Sequence, residues 1–304
     1  MGLFSNNKKL CPICGSPTPR LLATKVEGTP ICKECDKKVD LPDGMIEQMS
    51  IDSFRQYISF YEENQALRDA FTETFRYDFG FLGRDILLDA ANGLIRFKND
   101  ENALVIEASC IKGFRILEDA SPLYESGNGV LKCYQSEVPA RANAMSAQIA
   151  QLVMQQRQYE QMERRAREDG SPMPVRPYIE MPAPFRHFCV ELKLEHPYWR
   201  VFGGKKEGPA IDPNYPSIES YLKEYGKDAE KIHALATNLM QMICPGAQEV
   251  YGNAEMGVTV QVAASQSAPT GNAIDEIQNY KALFDSGVIT EEEFAAKKRQ
   301  LLGI

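Results

Sequence analysis

Cys11-Pro12-Ile13-Cys14-Gly15 and Cys32-Lys33-Glu34-Cys35 form two Cys-x-x-Cys pairs with seventeen residues between them. A Cys-x-x-Cys pair can set both sulfurs on one side of a tight turn, and Gly15 lets the first turn close. Two such turns facing each other offer four thiolates at the corners of a tetrahedron, the arrangement a structural Zn²⁺ takes. About forty residues bury too little apolar surface to fold alone, so a metal is expected to hold residues 1–40 together. Cys11, Cys14, Cys32 and Cys35 are the predicted ligands of one structural Zn²⁺, in a module of zinc-ribbon or treble-clef type. A catalytic zinc would want a His or carboxylate ligand and an open position, and a redox Cys-x-x-Cys would stand singly in a βαβ pattern.

Around this module the 304-residue chain has room for two or three compact units. No stretch approaches the length of a membrane span, and no long apolar run opens the chain. The eight cysteines comprise the four above and Cys110, Cys133, Cys189 and Cys244, which lie in apolar contexts and read as packing residues of a protein in a reducing cytoplasm. Net charge is −8, which argues against a broad nucleic-acid surface. Residues 1–40 carry seven cationic side chains against four carboxylates, a balance of +3. Four thiolates and one Zn²⁺ bring that to about +1, less than a phosphate-gripping ribbon needs.

Leu41-Pro42-Asp43-Gly44 is a turn. Ser50 or Asp52 then caps a helix carrying Phe54, Ile58 and Tyr61, with a break at Asn64 before Leu67 and Phe71. Residues 41–78 are thus a helical connector. A central α+β domain is expected over 79–250. Ile86 and Leu88 lead through Ala91-Asn92-Gly93 to Ile95 and Phe97, a strong hairpin signal. Leu104 with Ile106, then Phe114 with Ile116, extend the meander. Residues 119–138 read as irregular, with a short strand near Val130–Tyr134. A helical insertion spans 139–169 with a two-heptad seam at Met145, Ile149, Leu152, Gln156 and Tyr159; intramolecular packing and a coiled coil are both open. Gly170 ends it.

Phe188, Val190, Leu192 and Leu194 mark a half-buried strand. Gly203-Gly204-Lys205-Lys206 reads as a solvated turn. From Ser217 a helix carries Tyr225, Ala229, Ile232, Ala236, Leu239 and Ile243 on one face until Pro245-Gly246. The order of antiparallel strands closed by an amphipathic helix resembles a pleckstrin-homology or GRAM-like fold, which by itself assigns no lipid binding. Residues 251–272, small and polar, read as a flexible linker.

The last module, 273–304, reads as a helical hairpin. Ile277, Tyr280 and Phe284 lie on one helical face. Ser286-Gly287 closes that helix. Thr290 with Glu293 forms a capping box, and Ile289 with Phe294 a hydrophobic staple ahead of Leu301. The run Leu283-Phe284-Asp285-Ser286-Gly287-Val288-Ile289-Thr290-Glu291-Glu292-Glu293-Phe294 resembles the SHOCT (short C-terminal) domain. With the cysteine pairs in front, the chain resembles uncharacterised bacterial and phage proteins that join an N-terminal CxxCG…CxxC domain of unknown function to a SHOCT tail. That resemblance implies zinc at Cys11, Cys14, Cys32 and Cys35, self-association, and no reaction. Ile277, Tyr280, Phe284, Ile289, Phe294 and Leu301 are the expected oligomerisation residues.

No serine-centred nucleophile elbow, Walker loop or HExxH is present, and His187, His196 and His233 are too scattered in context to suggest a second metal site. The expected function is a non-enzymatic, zinc-stabilised scaffold or adaptor that forms homo-oligomers through its tail. The alternatives are a nucleic-acid binder using the cysteine module, which its near-neutral charge disfavours, and a peripheral membrane protein using the central domain.

Overall fold

The structure is a computed structural model that describes residues 9–80, 83–175, 180–253 and 256–261. The chain divides into two units, Met1–Gln261 and Val262–Ile304. The predicted helical hairpin at 273–304, with all six expected oligomerisation residues, lies outside the described residues.

The cysteine module opens the first unit. It contains a two-stranded hairpin, β1 (Lys25–Val26) and β2 (Thr29–Pro30), and a one-turn helix α1 (Lys33–Asp36). Two helices follow, α2 (Ile51–Glu63) and α3 (Gln65–Ala70). Of the two cap candidates in the sequence, Ser50 caps α2 by accepting from the Ser53 N–H at 3.1 Å, and Asp52 lies in the first turn. The break falls at Asn64, also as expected. Its side-chain amide is buried and pairs with both backbone groups of Val105, Nδ2 to O at 2.7 Å and N to Oδ1 at 3.0 Å, mimicking a strand partner.

Strands β3 (Phe75–Tyr77), β4 (Ile86–Asp89), β5 (Leu94–Arg96) and β6 (Ile106–Glu107) form an antiparallel four-stranded sheet. The β4–β5 turn is the predicted Asn-Gly hairpin, with Gly93 at φ 63° and Asp89 Oδ1 accepting from the Asn92 N–H at 3.1 Å. The meander does not continue as expected. A 3₁₀ turn at Ala108–Cys110 redirects the chain, and β7 (Ile111–Glu118) begins a second sheet.

That second sheet has seven strands. With β8 (Ser121–Gly127), β9 (Val130–Tyr134), β10 (His187–Leu194), β11 (Val201–Glu207), β12 (Gln248–Asn253) and β13 (Met256–Gln261), its order is β11-β10-β7-β8-β9-β12-β13. All its pairs are antiparallel except β9 with β12. Residues 119–138 are therefore mostly strand. The short strand expected near Val130–Tyr134 is β9, with Leu131 and Cys133 buried in alternation; in β8 only Leu123 is buried, so that strand lacks the alternation that marks one in sequence.

Gly203-Gly204-Lys205-Lys206 is not a solvated turn but the middle of β11, paired with Cys189–Glu191 and Phe188 of β10. A Cβ on Gly204 would lie 2.5 Å from the Phe79 ring, so the glycine admits an aromatic side chain against the backbone.

The helical insertion is two helices, α4 (Val138–Ala144) and α5 (Ser146–Asp169), joined at Met145. Of the heptad seam, Ile149 is buried in the core and Met145 packs against it, as does Val153 outside the seam; Leu152, Gln156 and Tyr159 are half-buried. Gly170 ends α5 in the left-handed conformation. Helix α6 (Ile218–Ile243), capped by Ser217, is continuous through Gly226 and buries Tyr221, Tyr225, Ile232, Leu235, Ala236, Leu239 and Met240.

This helix does not close the domain, which departs from the pleckstrin-homology or GRAM-like order expected. The chain continues into β12, which runs parallel to β9, and then into β13. Sheet thus occupies the start of the stretch read as a linker from residue 251. A parallel neighbour far away in sequence leaves no local signal. Among the described residues, no helix is long and apolar enough to cross a membrane.

One core runs through the unit, from Cys11, Cys32 and Cys35 through Phe54 and Tyr57 to Trp199, Phe202 and the buried face of α6. At the seam between the two sheets, Phe97 stacks on Phe202 with ring centroids 4.3 Å apart, and Trp199 lies 5.1 Å from Phe97.

Candidate metal centre

The first cysteine pair sits on a knuckle. An isolated bridge joins Leu10 to Pro17, the Cys11 N–H donates to Ser16 O at 2.8 Å, and the Gly15 N–H donates to Cys11 O at 2.9 Å. Gly15 takes φ 73°, a conformation glycine adopts without steric cost. The β1–β2 turn, with Glu27 at φ 50° and Gly28 at φ 74°, has the positive φ pair of a type I′ turn. It delivers the chain to Cys32, which caps α1: the Cys35 N–H points at Cys32 Sγ at 3.4 Å. The second pair therefore sits at a helix N-terminus, where backbone N–H groups favour negative sulfur.

The four sulfurs converge. Cys14 Sγ lies 3.4 Å from Cys32 Sγ and 3.7 Å from Cys35 Sγ, and Cys11 Sγ lies 3.8 Å from Cys35 Sγ. All four are within 4.8 Å of one another. A Zn–S bond of about 2.3 Å requires tetrahedral sulfur–sulfur edges of about 3.8 Å, so the spacing fits zinc. The donor set fits as well: four thiols and neither His nor carboxylate. Cys11, Cys32 and Cys35 are buried while Cys14 is exposed. Such a set closes the coordination sphere and leaves no position for water or substrate. Among the described residues, no other group of His, Cys, Asp and Glu is arranged to hold a metal ion.

The thiols differ sharply in acidity. The Ser16 hydroxyl and N–H, with help from Cys32, pull Cys14 down to about 6. Burial pushes Cys35 well up, reinforced by the three sulfurs around it. Burial also raises Cys32. At Cys11 burial acts upward too, but the N–H groups of Cys14, Cys32 and Ile13 outweigh it. Crowded thiolates repel; a divalent cation at their centre removes that repulsion and would make all four ligands anionic.

The module does not depend on metal alone. Val26 and Ile31 are buried in the shared core. Arg55 of α2 donates to Pro12 O at 3.2 Å, the Ile51 N–H donates to Glu27 Oε2 at 3.1 Å, and Lys38 pairs with Glu62 at 2.9 Å. The exit of the module is fixed more firmly. Asp40, 4% exposed, accepts from Arg84 Nη1 at 2.7 Å and from the Leu104 N–H at 2.9 Å. Its N–H donates to Tyr57 Oη at 2.8 Å, and its carbonyl accepts from Trp199 Nε1 at 3.2 Å. No motif links residues 40, 57, 84, 104 and 199, so this hub leaves no signal in the sequence.

Of the residues singled out in the sequence, the structure brings Cys11, Cys14, Cys32 and Cys35 together. The other four cysteines are dispersed: Cys133 is buried and Cys110, Cys189 and Cys244 are half-buried. The histidines stand apart as well. His187 faces Asp119 at 3.9 Å and His233 faces Glu249 at 3.6 Å. His196 is buried, and its Nδ1 accepts from the N–H groups of Trp199 at 3.1 Å and Tyr198 at 3.3 Å.

No curated protein and no solved structure matches the chain. Residues 275–302 match SHOCT, the short C-terminal domain, so the chain carries that small domain behind its cysteine-bearing first unit.

Proposed function

We propose that the protein is a non-enzymatic, zinc-stabilised scaffold or adaptor that self-associates through its C-terminal segment. The observation that carries this reading is the sulfur quartet: four thiols at tetrahedral spacing, three of them buried, make a centre that builds shape and leaves no site for a reacting group. One Zn²⁺ held by Cys11, Cys14, Cys32 and Cys35 stabilises the knuckle and the start of α1. Thiolates of this kind persist in a reducing cytoplasm, which is where we place the protein.

The SHOCT match supports the self-association half. Read as the helical hairpin the sequence predicts, residues 273–304 with an apolar stripe of Ile277, Tyr280, Phe284, Ile289, Phe294 and Leu301 would bury too little surface alone, and pairing with another copy would supply the missing face. Light scattering on the full chain and on a chain ending at residue 272 tests it. The full chain is expected at a multiple of the 34.1 kDa protomer mass and the shortened chain as a monomer. The same assembly state for both would contradict the reading.

A further inference from the structure

Glu118, Ser136 and Tyr225 meet in a closed triangle of oxygens. Glu118, the last residue of β7, is 4% exposed. Its Oε2 accepts from the Ser136 hydroxyl at 2.7 Å, and its Oε1 is in hydrogen-bond contact with Tyr225 Oη of α6. A third contact, Tyr225 Oη to Ser136 Oγ at 2.7 Å, completes the ring. Ser136 Oγ also accepts from the N–H of Val138, the first residue of α4, at 3.1 Å. The ring therefore ties the end of a sheet strand, the long helix α6 and the start of the helical insertion.

Counting protons fixes the state of the carboxyl. Three oxygen–oxygen contacts need three protons, and the two hydroxyls supply two. An ionised Glu118 would leave one pair of oxygens facing each other with nothing between them. A protonated Glu118 satisfies all three in one sense round the ring: Glu118 donates to Tyr225, Tyr225 to Ser136, and Ser136 back to Glu118. The charges nearby do not rescue the anion. Arg141 of α4 draws it towards ionisation but is itself paired with Glu137 at 2.7 Å, and Asp119 opposes ionisation. His187 of β10 faces Asp119 rather than the ring. Tyr124 of β8 and Tyr221 and Tyr225 of α6 are held in their neutral forms by burial. Burial likewise raises Glu118.

We propose that Glu118 is a neutral carboxylic acid in the folded protein, and that its ionisation unlatches the helical insertion from α6. Loss of the proton removes one link of the ring and puts a charge where water is excluded. Ser136 then lets go, and with it the start of α4. The latch shares no residue with the cysteine module or the C-terminal segment, so it depends on neither zinc nor self-association.

Glu118→Gln tests the proposal on the full-length protein, because the amide keeps the shape and donor of the protonated acid but cannot ionise. An unfolded glutamate titrates near about pH 4.3. Between that pH and the higher value in the folded chain, the unfolded state releases the proton and the folded state keeps it. The contribution of the ring is thus fully present at low pH and is lost as pH rises through the folded value. The unfolding equilibrium constant of the parent should rise relative to that of Glu118→Gln by up to about tenfold per pH unit in that window. Hydrogen exchange over residues 136–149, corrected for its intrinsic pH dependence, should show protection lost across the titration in the parent and kept in the variant. Carbon-13 carboxyl spectra of glutamate-labelled parent should show one glutamate titrating above all the others. Glu118→Gln should abolish that signal; if this variant fails to fold, Ser136→Ala assigns the signal by shifting it. No glutamate titrating above the rest, a stability difference independent of pH, or protection unchanged across the titration would each overturn the proposal.

Discussion

Arg84 donates through Nη1 to Oδ1 of Asp40 at 2.7 Å, and its second nitrogen reaches the carbonyl of Leu41 at 2.8 Å. The guanidinium also lies 5.0 Å from the centre of the Trp199 ring. One side chain thus clamps the exit of the cysteine module to the body of the protein. Arg84→Met leaves the buried Asp40 carboxylate with the Leu104 N–H but without its counter-ion. The expected loss is about 2 kcal/mol, below the full penalty for a broken buried pair because Arg84 is partly exposed. Urea unfolding followed by Trp199 fluorescence measures it. Zinc content should not change, since Arg84 touches no cysteine.

Asp40 also links the cysteine module to the single tryptophan. Trp199, 3% exposed, donates its indole N–H to the Asp40 carbonyl. Stripping zinc with a chelator under reducing conditions should loosen residues 11–40, release that hydrogen bond and shift Trp199 emission to the red. An emission spectrum unchanged after zinc removal would show the module and the core to be uncoupled.

At Gly204 the backbone of β11 meets the Phe79 ring. An added Cβ would lie between 2.5 and 2.8 Å from three atoms of the Phe79 ring, which is itself packed against Tyr77 and Phe202. Gly204→Ala should destabilise by about 1–3 kcal/mol through overpacking. Combining it with Phe79→Leu should cost less than the sum of the two single changes, because the smaller side chain gives the new methyl room. Additive losses in thermal unfolding would contradict this account.

His196 links stability to pH. Burial, aided by the positive charge of Arg200, holds its pKa down at about 4, while an unfolded histidine titrates near 6.5. Between those values the unfolded chain binds the proton and the folded chain does not. His196 therefore contributes full stability above about pH 6.5 and loses it as pH falls towards 4. His196→Asn keeps an acceptor for the Tyr198 and Trp199 N–H groups but does not titrate. The stability of the parent relative to this variant should fall with acidification at up to about 1.4 kcal/mol per pH unit in that window. Taking the difference cancels acid loss of zinc, which affects both proteins. A pH-independent difference would assign the titration elsewhere.

Local signals were readable from the residues alone. The cap at Ser50, the helix start at Ser217, the break at Asn64, the turn at Asn92-Gly93 and the stop at Gly170 are each written in one or two side chains. The cysteine quartet was equally plain, because metal ligation imposes a spacing that packing does not. What escaped depended on distant partners. Gly203-Gly204 reads as a turn until Phe79 is seen lying against it. Strand β12 finds its parallel neighbour in β9 more than a hundred residues earlier. Asp40 looks like any surface aspartate, yet four groups from four other parts of the chain converge on it.

The central claim is that one zinc ion sits among Cys11, Cys14, Cys32 and Cys35 and holds the front of the molecule in shape. Elemental analysis of the purified full-length protein, beside its Cys35→Ser variant, tests it most directly. The account predicts one zinc per chain in the parent and loss of that zinc, with a lowered unfolding midpoint, in the variant. A parent without bound metal, or a variant that retains its zinc in full, would contradict it.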